Sequence, residues 1–186
     1  MTIPNILTLS RILLTPLLMW FLVHRELNQA LVVFFVAGMT DGLDGLIARL
    51  FHQQSRVGAI LDPLADKLLL VSSFLILWHL GLIPTWLVIV VVARDAVIVL
   101  GTAALFMLRF PVAIQPTLLG KLTTLMQLLT VLLALSSELI SIGGWTKTLV
   151  FAVTGILSVA TGVQYVRKGI SMAKSQVRQR SSKPWI

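Results

Sequence analysis

The sequence has no cysteine, a single tyrosine and only 7 Asp and Glu residues. Without cysteine there is no disulfide framework and no thiolate chemistry, so any metal must be held by oxygen or imidazole. Charge is scarce altogether: 12% of the 186 residues are charged against 57% hydrophobic, a balance that no ordinary soluble domain shows. At about 1.5 Å per helical residue and about 30 Å of hydrocarbon, one membrane span consumes roughly 20 residues, so about six or seven spans fill the chain. No separate soluble domain is expected. The opening Met1-Thr2-Ile3-Pro4-Asn5 lacks the basic start and small-residue cleavage site of a secretory signal, and the chain is expected to insert as written.

What the sequence does contain is a series of apolar runs, which predict an all-α polytopic membrane protein: a six-transmembrane-helix bundle forming one domain over 1–186. Residues 3–11, with Pro4, Asn5, Thr8, Ser10 and Arg11, are expected to lie in or near the interface. Spans are expected at about 12–24, 28–50, 58–80, 84–108, 117–140 and 145–166, with a basic tail at 167–186. The net charge of +8 does not point to nucleic acid, because Arg167, Lys168, Lys174, Arg178, Arg180 and Lys183 crowd directly after the last apolar run. That pattern suits a juxtamembrane segment facing anionic lipid. The N-terminus, second loop, fourth loop and tail hold eleven Lys and Arg, against Arg25 and Lys147 in the alternate loops. Both termini and the loop between spans two and three are therefore expected to be cytoplasmic. Lys67 and Arg94 remain inside spans, where charges mark function by default.

The few acids are concentrated. Asp41, Asp44, Asp62 and Asp66 fall in one otherwise apolar window. On span two, Asp41, Asp44, Gly45, Ala48 and Arg49 recur at i, i+3, i+4, i+7 and i+8, and on span three Gly58, Asp62 and Asp66 recur every fourth residue. Each set forms one helical stripe. A short turn joins the helices, so the stripes can face one another in the cytoplasmic half of the membrane, with Asp66 about 12 Å along its helix from Gly58. Four unneutralised carboxylates at that depth are prohibitively costly; they must be protonated or meet cations. Hard oxygen donors favour Mg²⁺, Mn²⁺ or Ca²⁺, and Mg²⁺ completes its shell with substrate phosphates. The small residues beside the acids admit a ligand close to backbone or simply pack helix on helix. Ion pairing of the acids with Lys67 and Arg49 is the structural alternative, but two cations are too few for four acids.

The pattern Asp41-x2-Asp44-Gly45-x2-Ala48-Arg49-x8-Gly58-x3-Asp62-x3-Asp66 resembles the signature of the CDP-alcohol phosphotransferase family at every fixed position and spacing. Its chance occurrence in a chain this long is on the order of 10⁻⁸ at average residue usage. The resemblance extends to the six-helix plan and the Ile-Pro-Asn…Leu-Thr…Arg opening. It implies an enzyme that displaces CMP from a CDP-linked lipid, such as CDP-diacylglycerol, and transfers the phosphatidyl group to an alcohol with the help of Mg²⁺ or Mn²⁺. Carried over by residue, Asp41, Asp44 and Asp62 bind metal, Asp66 shares the metal or acts as base, and Gly45, Ala48, Arg49 and Gly58 line the CDP site. It further implies a homodimer in a prokaryotic cell (inner) membrane, with the active site cytoplasmic.

The acceptor is read from local features. Asp62-Pro63-Leu64-Ala65-Asp66-Lys67 resembles the glycerol-lipid branches of the family. Leu82-Ile83-Pro84 with Ala93-Arg94-Asp95, and Pro116-Thr117 with Gly120-Lys121, Thr124 and Gln127, resemble the cardiolipin-forming branch, although Gly120-Lys121 also occurs in phosphatidylglycerophosphate synthases. Phosphatidylglycerol is the favoured acceptor and glycerol 3-phosphate the alternative. Both carry a phosphate, so Lys67, Arg94 and Lys121 are candidate acceptor contacts; the bland readings are neutralisation of the acids, pairing with Asp95 and snorkelling to headgroups. His24, His52 and His79 have no metal-ligand spacing. Trp20, Trp78, Trp86 and Trp145 read as an aromatic belt near the outer interface. A divalent-cation channel or transporter is the rival class, but no acid continues a path outward from Asp41 or Asp66. A non-catalytic lipid-binding homologue would not need all four carboxylates.

Overall fold

The computed structural model describes the backbone of residues 3–51, 58–107 and 117–181, and within those stretches all side chains except those of 3–12, 41–51, 58–65, 104–106, 138 and 172–181. Among the described residues the fold is all-helical: α1 (Ile3–Val23), α2 (Leu27–Phe51), α3 (Gly58–His79), α4 (Thr85–Met107), α5 (Leu118–Leu135), a 3₁₀ turn over Ser136–Glu138, and α6 (Gly144–Ser181). Thr85–Ala103, Leu118–Leu135 and Gly144–Ser171 are long and apolar enough to cross a bilayer, and Leu13–Val23 and Leu27–Thr40 are shorter apolar helical stretches. The chain is an integral membrane protein.

Short turns join α1 to α2, α3 to α4 and α5 to α6, and these three turns share one end of the bundle, called here the hairpin end. The first two are built alike. The Glu26 and Arg25 amides donate back to the carbonyls of Phe21 and Leu22, and the Leu82 and Gly81 amides donate to Leu77 and Trp78. That paired 6→1 and 5→2 bonding needs a left-handed residue at the helix end. Gly81 supplies it at φ 77°, whereas in the first turn Arg25 adopts φ 61° without the freedom of glycine. At the end of α5 the Ser136 and Ser137 hydroxyls donate to the carbonyls of Leu133 and Ala134, satisfying groups that the closing helix leaves over.

Packing runs in two layers of contact. α1 lies against α2 and α3, while α6 lies against α4 and α5; α2 and α3 also touch α5, and α3 touches α4. At the hairpin end Leu18, Leu22, Phe34, Phe74, Leu77, Leu87 and Leu135 form a sealed apolar core. Trp20, Trp78, Trp86 and Trp145 surround it with exposed rings, and the Trp78 indole donates to Thr85 Oγ1 at 2.9 Å. The close approach of α4 and α6 relies on glycine at one point: a Cβ on Gly155 would stand 2.6 Å from the Trp86 ring, whereas one on Gly162 would make ordinary contact with the Arg94 stem at 3.7 Å. Small residues at such crossings let backbones approach where lipid removes the hydrophobic drive for association.

α5 and α6 are joined by side-chain hydroxyls. Thr117 caps α5, accepting from the Gly120 amide at 3.1 Å and donating to Gln164 Oε1 of α6 at 3.2 Å. Thr123 pairs with Thr161 at 2.6 Å and Thr130 with Thr154 at 2.8 Å. These pairs set an antiparallel register in which Gln127 and Ser158 fall at one level between them. Finally, α6 continues through the basic stretch as helix to Ser181, 38 residues in all.

Candidate active site

The helices carry the acidic motif as the spacing requires. Asp41, Asp44, Gly45, Ala48 and Arg49 stand on α2 and Gly58, Asp62 and Asp66 on α3, both continuous there. Within each helix the acids are about one turn apart. The side chains of Asp41, Asp44, Gly45, Ala48, Arg49, Gly58 and Asp62 lie outside the described residues, as do those of Asn5, Thr8 and Arg11, and all of His52. The facing of the two stripes falls there too. Among the described residues α1 and α5 each pack against both α2 and α3, and no group of three or more potential ligands from His, Cys, Asp and Glu occurs. Asp66 is described, half-buried on α3 and engaged in an interaction of its own.

One residue further along α3 the described geometry becomes sharp. Lys67 Nζ donates to Asp95 Oδ1 of α4 at 2.7 Å, and Arg94 Nη1 donates to the same oxygen at 2.5 Å. The Arg94 and Asp95 side chains are 5% and 6% exposed, against 27% for Lys67. Of the two charge-assisted bonds on this buried oxygen, the one from Lys67 ties α3 to α4, while the one from Arg94 lies within α4. Yet Arg94 Nε and Asp95 Oδ2 are buried without a partner, as are both amide atoms of Gln127 and the hydroxyl of Ser158. Lys121 is exposed on the first turns of α5 and stands apart from this cluster. His24 Nδ1 donates to the Trp20 carbonyl at 2.8 Å, a local contact of the first turn.

Of the basic residues singled out by sequence, the fold thus brings Lys67 and Arg94 together and leaves Lys121 separate. The sequence marks Asp95 as a pairing partner for Arg94 and as part of the Ala93-Arg94-Asp95 stretch, not as the point where two helices and two cations meet. A signal for it existed: with Glu26 and Glu138 near turns, Asp95 is the remaining acid of the seven that falls within an apolar run. A groove lined by Phe21, Asn28, Gln29, Val32 and Val33 lies at the hairpin end, at the other end of α2 from Asp41 and Asp44, and belongs to a different region.

The likeness of this sequence to known proteins is decisive at the level of family. The CDP-alcohol phosphatidyltransferase family model matches residues 1–164. The chain belongs to that family. A Homo sapiens protein named cardiolipin synthase (CMP-forming) is 41% identical over 121 residues, 64% of this chain and 39% of the human protein. A Streptomyces coelicolor protein of the same name is 35% identical over 130 residues, 67% of this chain and 60% of its own length. A Schizosaccharomyces pombe fusion of cardiolipin synthase (CMP-forming) with a mitochondrial hydrolase is 32% identical over 180 residues, 88% of this chain and 30% of the fusion. The chain therefore spans less than two thirds of the length of these relatives.

Proposed function

We propose that this chain is a CDP-diacylglycerol-dependent phosphatidyltransferase whose acceptor is phosphatidylglycerol, so that the products are cardiolipin and CMP. The observation that carries the reading is the eight-position motif in helical register on α2 and α3, in a chain 41% identical over 121 residues to a protein named cardiolipin synthase (CMP-forming).

The bonds balance simply. The free hydroxyl of the acceptor glycerol attacks the phosphatidyl phosphorus, a new P–O bond forms, and the P–O bond to the CMP phosphate breaks. Asp66 takes the hydroxyl proton, since a positioned carboxylate within reach of the nucleophile acts as general base. Gly45, Ala48, Arg49 and Gly58 line the CDP moiety, where small residues admit the nucleotide close to backbone. Lys67 and Arg94 meet the acceptor phosphate, and Lys121, apart from them on α5, meets the acceptor or another phosphate of the lipid substrates.

The donor set fits a divalent cation. Carboxylates on two adjoining helices, with neither imidazole nor thiolate among them, suit Mg²⁺ or Mn²⁺, and Asp41, Asp44, Asp62 and Asp66 would hold it. When bound, such an ion stabilises charge developing on the phosphoryl oxygens. Chelation is expected to stop CMP release, and added Mg²⁺ to restore it.

The proposed setting is a six-span bundle over 1–186, with residues 3–11 interfacial and 167–186 on the basic, cytoplasmic side. Both termini and the active site face the cytoplasm of a prokaryotic cell, and the working unit is a homodimer. Lys and Arg placement supports the orientation.

The test is a side-by-side assay of the purified full chain with CDP-diacylglycerol and Mg²⁺, given phosphatidylglycerol or glycerol 3-phosphate. CMP release only when phosphatidylglycerol is added, with cardiolipin as the lipid product on chromatography, is the expected result. Preference for glycerol 3-phosphate moves the acceptor to the alternative, and no release with either overturns the reading.

A further inference from the structure

Among the described residues α6 packs on two sides only, with Gly155 and Gly162 against α4 and Thr154 and Thr161 against α5. A third face carries Ile156, Val163 and Ile170, which are 69%, 47% and 52% exposed. Arg167 is exposed as well. Ile156, Val163, Arg167, Lys174 and Arg178 recur at i, i+7, i+11, i+18 and i+22 of one continuous helix, so helical period keeps all five on one narrow stripe. The stripe changes from aliphatic to basic without leaving its face. Lys168 and Arg180 fall elsewhere by the same period, Lys168 on the side of Thr161 and Arg180 on the side of Gly162.

The change comes at a definite depth. The apolar stretch Gly144–Ser171 has 28 residues. It rises about 42 Å, close to the thickness of a whole bilayer with both headgroup layers. Arg167 therefore stands at the level of the headgroups, and Lys174 and Arg178 follow about 5 and 10 Å beyond them, within about one Debye length at physiological salt. No Asp or Glu follows Glu138, so α6 brings no counter-charge of its own. Anionic headgroups supply that charge, and each Lys or Arg near such a surface is worth about fivefold in affinity.

Resting on the phosphatidyltransferase reading for its consequence, we propose that the stripe of Arg167, Lys174 and Arg178 is a docking surface for anionic phospholipid headgroups, which gathers phosphatidylglycerol beside the site. The place suits that role. α2 closes and α3 opens at the end of the bundle opposite the hairpin turns, and α6 continues outward at the same end. A zwitterionic headgroup brings no net charge to the stripe, and a soluble phosphate is not held at its level by acyl chains. The stripe thus acts on the local concentration of lipid and takes no part in the bond changes.

The experiment reconstitutes the full chain in bilayers of phosphatidylcholine and phosphatidylglycerol in equal parts and reads two quantities. The first needs no turnover: it is the preference of the protein boundary for spin-labelled phosphatidylglycerol over spin-labelled phosphatidylcholine. Wild type should favour the anionic lipid by about twofold or more, and Arg167→Gln/Lys174→Gln or high salt should bring the two lipids close to parity. Arg167→Lys/Lys174→Arg keeps the charge and should keep the preference. Lys168→Gln/Arg180→Gln removes as much charge from other faces and should leave the preference in place. Parity in the wild type, or equal loss in the two Gln pairs, overturns the docking surface. So does binding of duplex DNA in neutral detergent that depends on Arg167 and Lys174 while the boundary shows no lipid preference. The second quantity is the KM for phosphatidylglycerol, as a surface fraction at saturating CDP-diacylglycerol, which should rise about three- to tenfold in Arg167→Gln/Lys174→Gln with kcat unchanged. An unmoved KM beside an intact lipid preference overturns the gathering of acceptor. A wild type that releases no CMP defeats the phosphatidyltransferase reading, and the boundary measurement still decides the docking surface.

Discussion

Around the hairpin end the buried side chains include Leu18, Leu22, Phe34, Phe74, Leu77 and Leu87, while half way along the same bundle Arg94, Asp95, Thr123, Gln127, Thr130, Thr154, Ser158 and Thr161 are buried among the apolar ones. The first region holds together by shape: aromatic and branched side chains interlock, and none asks for a partner. The second holds together by pairing, with Thr123 to Thr161 and Thr130 to Thr154 across the α5–α6 seam. Its pairing is incomplete, since Gln127, Ser158, Arg94 Nε and Asp95 Oδ2 are left over. Each buried polar atom without a partner costs about 1–3 kcal/mol. The apolar end thus carries stability, and the polar middle spends part of it at the place where the acidic stripe of α3 begins.

That contrast can be broken or sharpened by substitution. The largest effect is expected at the acids: Asp66→Asn should reduce CMP release by about 10²- to 10⁴-fold, the usual worth of a general base, while the variant still binds CDP-diacylglycerol. Full turnover in that variant removes Asp66 from the role. At the apolar end Phe74→Ala should lower stability by about 3–5 kcal/mol, read as an earlier thermal transition in detergent, with activity per folded molecule little changed. In the seam, Thr123→Val or Thr161→Val should cost only about 0.6–1.7 kcal/mol, the range for single hydrogen bonds between membrane helices. Gln127→Met should be smallest, close to neutral or slightly stabilising, because it removes two unsatisfied atoms and keeps the volume. A loss comparable to Phe74→Ala there would show that Gln127 holds a bound polar group.

The same division explains what could be read in advance. The helices follow from runs of apolar residues, and the turn after α3 follows from Gly81 and Pro84. The turn after α1 carries no such mark, because Arg25 takes the left-handed position by virtue of the bonds around it. α5 closes at Leu135 through the hydroxyls of Ser136 and Ser137, a local competition that hydropathy does not register. α6 stays helical past the change from apolar to basic residues, since composition alters there while the backbone meets no proline before Pro184. In the candidate site, the register of Asp41, Asp44, Asp62 and Asp66 is legible because it depends only on helical period. The meeting of Lys67 and Arg94 on one oxygen of Asp95 is not, because it depends on where α3 crosses α4. The burial of Gln127 and Ser158 likewise depends on which faces of α5 and α6 meet.

The length of α6 has a mechanical consequence. Its 38 residues make a rod of about 57 Å, nearly twice the hydrocarbon thickness of a bilayer. About 25 Å of that rod follows Gln164, beyond the last hydrogen bond that ties α6 to α5. Any tilt of the packed portion is therefore magnified at the far end, where a tilt of about 10° moves the tip by roughly 4 Å. A spin label or fluorophore on Ser181 would act as the pointer of a gauge whose pivot lies among Gly155, Gly162 and the threonine seam.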